Sequence, residues 1–489
     1  MAGYEWSKLK YDGYEDSYSY QHTVYGDFGA NPGNYLNADG ELDLRDRVIN
    51  PWGSESYIVS FFGRANYSLL NRYLFTFTGR GDGSSRFAKG NKWGFFPSAA
   101  FAWRVNDEAF MKDADCVSDM KLRLGWGKTG QQDIGRDFYY LATYTSNING
   151  NYTYPIAGLN GFMAKPNAYN DEIRWETTTT YNVGLDLGFF KQRLTVGVDA
   201  YYRKTTDLFN LNTVPTGSNF DRTVYTNVGE MSNRGVEFQL TGRPIVTKDW
   251  YWEIGMNFAY NKNRVDELYG GNDKVDGWVD HEGTVSWQKV GKPTNSFYVY
   301  QQVYDEKGLP IQGVFVDRDG DGVITENDKY WYKSINHPWN CGLSTRLQYK
   351  NWDLGMNLRG SFGGYIYNEL EAGRVNLAAV CRDYNGWYNQ NTTTDIEKLN
   401  WNSYLYGHSD YFVQNASYVR CDNITLGYSF ENLFKKGKYN GITGRISASV
   451  SNAFVISKYK GLDPEQTSGA ESSLYPRPRT YTLNLGLNF

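Results

Sequence analysis

The sequence predicts an all-β chain: about fourteen antiparallel strands of a transmembrane β-barrel. Three observations carry this prediction. Apolar residues recur at every second position in segment after segment. Aromatic residues and glycines are abundant. The links between segments are short and long in turn.

The closing segment shows the pattern best. Tyr481, Leu483, Leu485, Leu487 and Phe489 fall on one face of a strand, and Thr482, Asn484, Gly486 and Asn488 on the other. The same alternation sets Tyr181, Val183, Leu185, Leu187 and Phe189 against Asn182, Gly184, Asp186 and Gly188. It recurs from Leu194 to Tyr202, Ile254 to Asn261, Leu354 to Arg359 and Asn423 to Phe430. The polar faces are rich in Asn, Gly, Thr and Asp, which suits a water-filled interior, while the apolar faces suit lipid.

Composition agrees. The chain of 489 residues holds 42 Tyr, 26 Phe and 15 Trp, far above ordinary usage, and 52 Gly, which suit hairpin turns. No apolar run approaches the ~18 residues of a transmembrane helix. The mean hydropathy of −0.62 does not exclude a membrane protein, because a barrel strand shows lipid only every second residue. A net charge of −4 gives no support to nucleic-acid binding. Cys116, Cys341, Cys381 and Cys421 are scattered without metal spacing and are read as unpaired.

Strands are placed near 2–11, 55–69, 71–81, 93–105, 119–128, 174–188, 193–206, 232–243, 249–263, 338–349, 351–361, 415–430, 440–456 and 478–489. Short links fall near 70–72, 190–192, 244–248 and 350. Long ones, expected to lack structure of their own, fall near 12–54, 129–173, 207–231, 264–337, 362–414 and 457–477. Counted back from a periplasmic Phe489, every long link lands on the outer side. The link 106–118 is the one sizeable inner connection and reads as a helical turn. Residues 1–489 are therefore one partial barrel. The opening Met1-Ala-Gly-Tyr-Glu-Trp6 lacks the basic and apolar stretches of a signal peptide, so none is expected.

Several segments resemble the SusC/RagA family of TonB-dependent outer-membrane transporters. They include Arg80-Gly-Asp-Gly-Ser-Ser-Arg-Phe87 with Trp93-Gly-Phe-Phe-Pro-Ser98, Trp103-Arg-Val-Asn-Asp-Glu-Ala-Phe-Met111 and Lys121-Leu-Arg-Leu-Gly-Trp-Gly-Lys-Thr-Gly130. Asn227-Val-Gly-Glu-Met-Ser-Asn-Arg-Gly-Val-Glu237, Ala416-Ser-Tyr-Val-Arg-Cys-Asp-Asn-Ile-Thr-Leu-Gly-Tyr428 and Tyr459-Lys-Gly-Leu-Asp-Pro-Glu465 continue the series. The resemblance implies the C-terminal part of a 22-stranded barrel in the bacterial outer membrane, with no plug domain in this chain. It further implies import of oligosaccharides or peptides, a SusD-like lipoprotein lid, and energy from TonB–ExbB–ExbD acting through a plug. The remaining strands, roughly eight, would then lie elsewhere. An open sheet of this size leaves two edges unpaired, so the segment alone is expected not to insert stably in lipid.

The sharpest local motif is Asp317-Arg-Asp-Gly-Asp-Gly-Val-Ile-Thr-Glu-Asn-Asp328. Asp317, Asp319 and Asp321 occupy positions one, three and five of a calcium loop, Gly322 the tight turn, Val323 the backbone-carbonyl position and Asp328 position twelve. The expectation is a Ca²⁺ loop; the alternative is an acidic, metal-free turn. Aromatic residues crowd the long links (Phe138, Tyr139, Tyr140, Tyr298, Tyr300, Trp331, Tyr332, Trp387, Tyr388) and read first as packing and interfacial groups, second as sugar-stacking platforms. Arg80-Gly81-Asp82 reads as a structural strand end rather than an adhesion tripeptide. His22, His281, His337 and His408 match no catalytic spacing, and no enzyme activity is expected. A passive porin, a siderophore receptor and a non-transporting adhesin remain as competing readings.

Overall fold

The computed structural model describes residues 1–19, 46–111, 113–135, 137–146, 164–215, 217, 223–268, 274–276, 285–373, 408–431, 443–466, 468–471 and 475–488. Its main element is one sheet of fourteen strands, each hydrogen-bonded to the next in chain order. They are β1 (Ala2–Ser19), β2 (Asp46–Leu69), β3 (Tyr73–Ser84), β4 (Trp93–Arg104), β5 (Val117–Gln131), β6 (Glu176–Phe189) and β7 (Leu194–Thr206). Then follow β8 (Glu230–Val246), β9 (Trp250–Glu267), β10 (Trp339–Tyr349), β11 (Trp352–Phe362), β12 (Tyr418–Phe430), β13 (Thr443–Ser457) and β14 (Thr480–Asn488). Every neighbouring pair is antiparallel. The sheet is open, since β1 and β14 pair on one side only.

Register turns fourteen separate stripes into one surface. Leu485 faces Ile446, Ile446 faces Tyr428, and Tyr428 faces Trp352. Leu354 faces Leu347, which faces Trp252; Phe238 lies between Phe258 and Val198; Leu122 lies between Leu185 and Trp103. Paired residues share a face, so the apolar side runs unbroken from β14 to β1.

Aromatic rings gather at both ends of that face. Tyr73–Trp103, Trp250–Tyr349 and Trp352–Tyr428 pack at the end carrying the short turns. Trp6–Tyr57, Phe61–Trp93 and Tyr260–Trp339 pack toward the other. On β10 the two belts are separated by an 11-residue strand. Ten steps of ~3.4 Å, tilted by ~45°, span roughly 24 Å, which matches the ~25 Å apolar band of an outer-membrane barrel.

The short turns need little sequence. Leu70 and Asn71, at φ +53° and +56°, reverse the chain between β2 and β3, and Phe190, Lys191 and Gln192 do so between β6 and β7. The inner link after β4 forms two 3₁₀ turns, Val105–Asp107 and Ala109–Met111.

Two expectations need correction. The first two strands are longer than predicted, because β1 and β2 continue their ladder outward past the end of the apolar stripe. A ladder needs backbone pairing, and period-two reading detects only side chains. The long links also carry structure of their own. Strands Lys274–Asp276, Ser286–Lys289, Ser296–Tyr300 and Lys329–Ser334 form a four-stranded sheet, and Gln302–Tyr304 pairs with Pro310–Phe315. Tyr365–Tyr367 pairs with Val413–Asn415. Val285, Phe297, Val299, Tyr367, Ala372, Phe412 and Val413 form a buried apolar core under these pieces. Parallel bridges Tyr300–Ser409 and Tyr367–Ala470 tie three long links into one outer loop body.

Candidate functional site

The face opposite the lipid stripe is polar, and register pairs its charges. Arg80 reaches Glu5 at 2.9 Å and Asp82 at 2.7 Å. Lys121 and Arg123 share Asp186 at 3.0 and 2.8 Å, and Arg123 also meets Asp199 at 2.8 Å. Farther round, Arg445 meets Asp353 at 2.6 Å. Apart from Arg80 and Asp82, two residues apart on β3, these partners sit on neighbouring or next-neighbouring strands, so sequence spacing alone could not join them. They make a wall that is strongly polar yet carries no broad field of one sign, which suits passage of hydrophilic solutes. Arg80 and Asp82 stand in this wall, in keeping with the structural reading of that tripeptide.

At the outer end, the acidic loop folds as a string of side chain to backbone bonds. Gly320 and Gly322, at φ +77° and +82°, allow the tight coil. Asp317 accepts from the N–H of Gly320 at 2.7 Å and of Gly322 at 2.9 Å, and Asp321 from that of Val323 at 2.8 Å. Asp317, Asp319 and Asp321 are exposed, and their carboxylate oxygens come within 4.8 Å of one another. Asp328 is different. It is fully buried, and its two oxygens accept N–H groups of Arg318 at 2.7 Å and Thr325 at 2.7 Å. The bond from Thr325, with that from Arg318, holds its pKa below the ordinary carboxylate value. Asp328 thus braces the loop from beneath, while the carboxylates of Asp317, Asp319 and Asp321 stay exposed and close together. The Val323 side chain is exposed, which leaves its backbone as the relevant group.

The loop is joined to the rest of the outer body through Lys329. Its ammonium lies 2.8 Å from Glu326, 3.4 Å from Nδ1 of His408 and 5.1 Å from the centre of the Tyr300 ring. Burial pushes the Tyr300 hydroxyl up to about 12. Tyr330 donates to Asp410 at 2.7 Å, and burial raises the Asp410 carboxyl above its usual value. Several aromatic candidates pack against neighbouring rings. Tyr298 lies 4.9 Å from Trp331, Tyr300 lies 5.1 Å from Phe315, and Tyr139 lies 5.1 and 4.5 Å from Phe209 and Tyr225. Trp387, Tyr388, His22, His281 and Cys381 lie outside the described residues.

A second polar assembly escaped the sequence reading. Arg420 on β12 is buried and bonds Asp463 at 2.6 Å and Asn452 at 2.7 Å. Arg477 bridges the same Asp463 at 3.2 Å and Glu465 at 2.8 Å. Glu465 also holds Arg359 of β11. Fully buried Glu471 accepts the N–H groups of Leu462 and Asp463 at 2.7 and 3.1 Å. Together these bonds pin the last long link to the wall. A Lys-Gly-Leu-Asp-Pro-Glu run at 460–465 was visible in the sequence, but nothing there marked it as a latch.

The sequence matches the family model for the β-barrel of TonB-dependent receptor-like proteins over residues 3–358. It is 47% identical over 456 residues to TonB-dependent receptor SusC of Bacteroides thetaiotaomicron, covering 91% of this chain and 45% of that protein. TonB-dependent receptor P3 of Formosa agariphila is 31% identical over 539 residues, covering 100% of this chain and 50% of that protein. The structure superposes on that of the RagAB peptide transporter with a TM-score of 0.79 at 26% identity, covering 100% of this chain and 53% of the other. The chain thus spans about half the length of the relatives it matches. With its lipid face, aromatic belts and polar inner wall, the chain belongs to the SusC/RagA group of TonB-dependent receptor β-barrels of the outer membrane.

Proposed function

We propose that this chain is the C-terminal wall of an outer-membrane nutrient importer that takes up oligosaccharides or peptides. The supporting observation is the pairing of one unbroken lipid stripe with a charge-balanced polar face, in a sequence nearly half identical to SusC. Edges β1 and β14 would pair with further strands of the complete barrel, since unsatisfied backbone groups in lipid cost several kcal/mol each. The chain alone should then fail to show heat-modifiable migration in detergent.

In this reading a SusD-like lipoprotein lids the outer mouth, and TonB–ExbB–ExbD supplies energy through a plug. Uptake of the nutrient should cease in a strain lacking TonB, and the lipoprotein should co-purify with the receptor. Uptake that persists without TonB would favour a passive pore. Loss of neither uptake nor growth on deletion of the receptor would favour a surface role without transport.

We also propose that Asp317, Asp319, Asp321 and the Val323 carbonyl hold Ca²⁺, with Asp328 fixing the loop. Hard oxygen donors at this spacing suit calcium. Occupancy would neutralise three neighbouring carboxylates and stiffen the outer loop body. Calcium should protect the loop from protease in the intact protein, and Asp317→Asn with Asp319→Asn should abolish the protection. Equal cleavage with Ca²⁺ and with chelator would remove this proposal.

A further inference from the structure

The outer ends of β7, β8 and β9 carry a group of cations that import does not use. Register sets its geometry. Tyr202 of β7 faces Arg234 of β8, and Arg234 faces Lys262 of β9. One step outward, Lys204 faces Ser232, and Ser232 faces Arg264. Residues two apart on a strand share a side, so all of these lie on the face that carries Val198, Phe238 and Phe258. That is the lipid face. The other face at this level holds Tyr201, Asn261 and Asn233, bonded in a chain at 3.1 and 3.2 Å.

The level of the group in the membrane follows from the aromatic belt. Lys262 comes two residues after Tyr260, which packs on Trp339 at 4.3 Å in the outer belt. Two residues of a strand tilted by ~45° rise ~5 Å. Lys262 therefore stands just outside the apolar band, where the headgroups of the outer leaflet lie, and Arg234 is its direct neighbour across the ladder.

Directly opposed like charges weaken a sheet. Carboxylates relieve the two cations farther out: Lys204 meets Glu230 at 2.6 Å, and Arg264 meets Asp266 at 3.4 Å. Arg234 and Lys262 are exposed, and neither has a carboxylate partner among the described residues. Asp221, Arg222 and Asp273 of the flanking links lie outside the described residues; register fixes the cation pair without them. The sheet thus keeps a repulsive pair at the point where headgroups begin. An anion seated between the two side chains would turn that repulsion into attraction.

We propose that Arg234 and Lys262, flanked by Lys204 and Arg264, bind a phosphate group borne by a lipid of the outer leaflet. The guanidinium forks two phosphate oxygens, and the ammonium adds a point charge. A lipid fits better than a soluble anion because the site continues the lipid face. Val236 and Phe258 lie inward of the pair and are 46% and 41% exposed, which gives the acyl chains of the same molecule an apolar track. Clustered basic groups beside a membrane-spanning wall attract anionic headgroups in this way. The site depends on the membrane face alone and is independent of which nutrient the receptor carries.

The test is binding of lipid A, a phosphorylated and acylated disaccharide, to the complete receptor purified in detergent and stripped of lipid. Native mass spectrometry reads the bound lipid, and a rise in unfolding temperature reads its effect. Removal of the phosphates from the lipid should weaken binding, as should added salt. Arg234→Gln with Lys262→Gln should weaken it roughly tenfold, with heat-modifiable migration retained. Arg203 is the residue before Lys204 but lies on the inner face, over the Tyr201 ring at 4.7 Å. Arg203→Gln should therefore bind lipid as the wild type does. Without lipid, Lys262→Gln should unfold at no lower a temperature than the wild type, because it removes a repulsion; a lower one would mark the pair as structural and overturn the proposal. Equal binding by the wild type and the double variant, equal binding of the dephosphorylated lipid, equal protection by inorganic phosphate, or an equal loss in Arg203→Gln would also overturn it.

Discussion

The wall and the outer loop body are both β-structure, yet different forces hold them. In the wall, every strand pairs with its neighbour and the apolar side chains point outward to lipid; exposed residues such as Leu483 and Leu485 are the rule. In the loop body, Phe297, Phe412 and Val299 are fully buried beneath short strands, as in a water-soluble domain. The wall is thus stabilised by its ladder and its solvent. The loop body is stabilised by a small core and by polar bonds that close its gaps. One chain obeys two rules because it meets two solvents.

The largest expected effect falls in the loop body. Phe412→Ala should cost about 3–5 kcal/mol locally, as removal of a buried ring does. The outer loops should become protease-sensitive while the barrel still migrates as folded. If barrel and loops were lost together, the two regions would be one cooperative unit. Asp463→Ala should follow, at about 3 kcal/mol, because it leaves the buried Arg420 guanidinium short of its partner. Its mark should be release of the segment after β13, read by limited proteolysis.

The wall responds to a different substitution. Met356 and Asn357 are consecutive on β11, one on each face. Met356→Arg should cost about 2–4 kcal/mol in lipid, whereas Asn357→Arg should be close to neutral. Chemical unfolding in bilayers would separate them. Equal costs would deny that the faces meet different media.

That contrast explains what the sequence disclosed. Fourteen wall strands were legible because a strand between lipid and water must alternate, so Leu354, Met356 and Leu358 announce themselves. Phe297 and Val299 did not, since short strands buried on both sides carry no such period. The pairing of Arg123 with Asp186 and Asp199 was hidden because it depends on register across strands. Likewise the three exposed aspartates were legible from spacing, but the role of Asp328 as a brace follows only from its backbone partners.

A smaller effect is expected from acid. Asp328 has a folded pKa below its unfolded value, so its stabilisation is present above the ordinary carboxylate range and is lost as pH falls through the depressed folded value. Protease sensitivity of the acidic loop should rise over that interval, and Asp328→Asn should show it already at neutral pH. Least of all should matter the Lys8–Glu55 pair at 2.9 Å, whose side chains are more than a third exposed. Lys8→Ala should change stability by about 0–1 kcal/mol.

Spin labels placed one at a time along Leu354 to Arg359, in a cysteine-free receptor reconstituted in bilayers, probe the two media most directly. Collision with lipid-soluble oxygen should peak at 354, 356 and 358, and collision with a water-soluble nickel complex at 355, 357 and 359. Low collision with both reagents at 354, 356 and 358 would mean that another protein layer covers this face, and the membrane wall described here would be wrong.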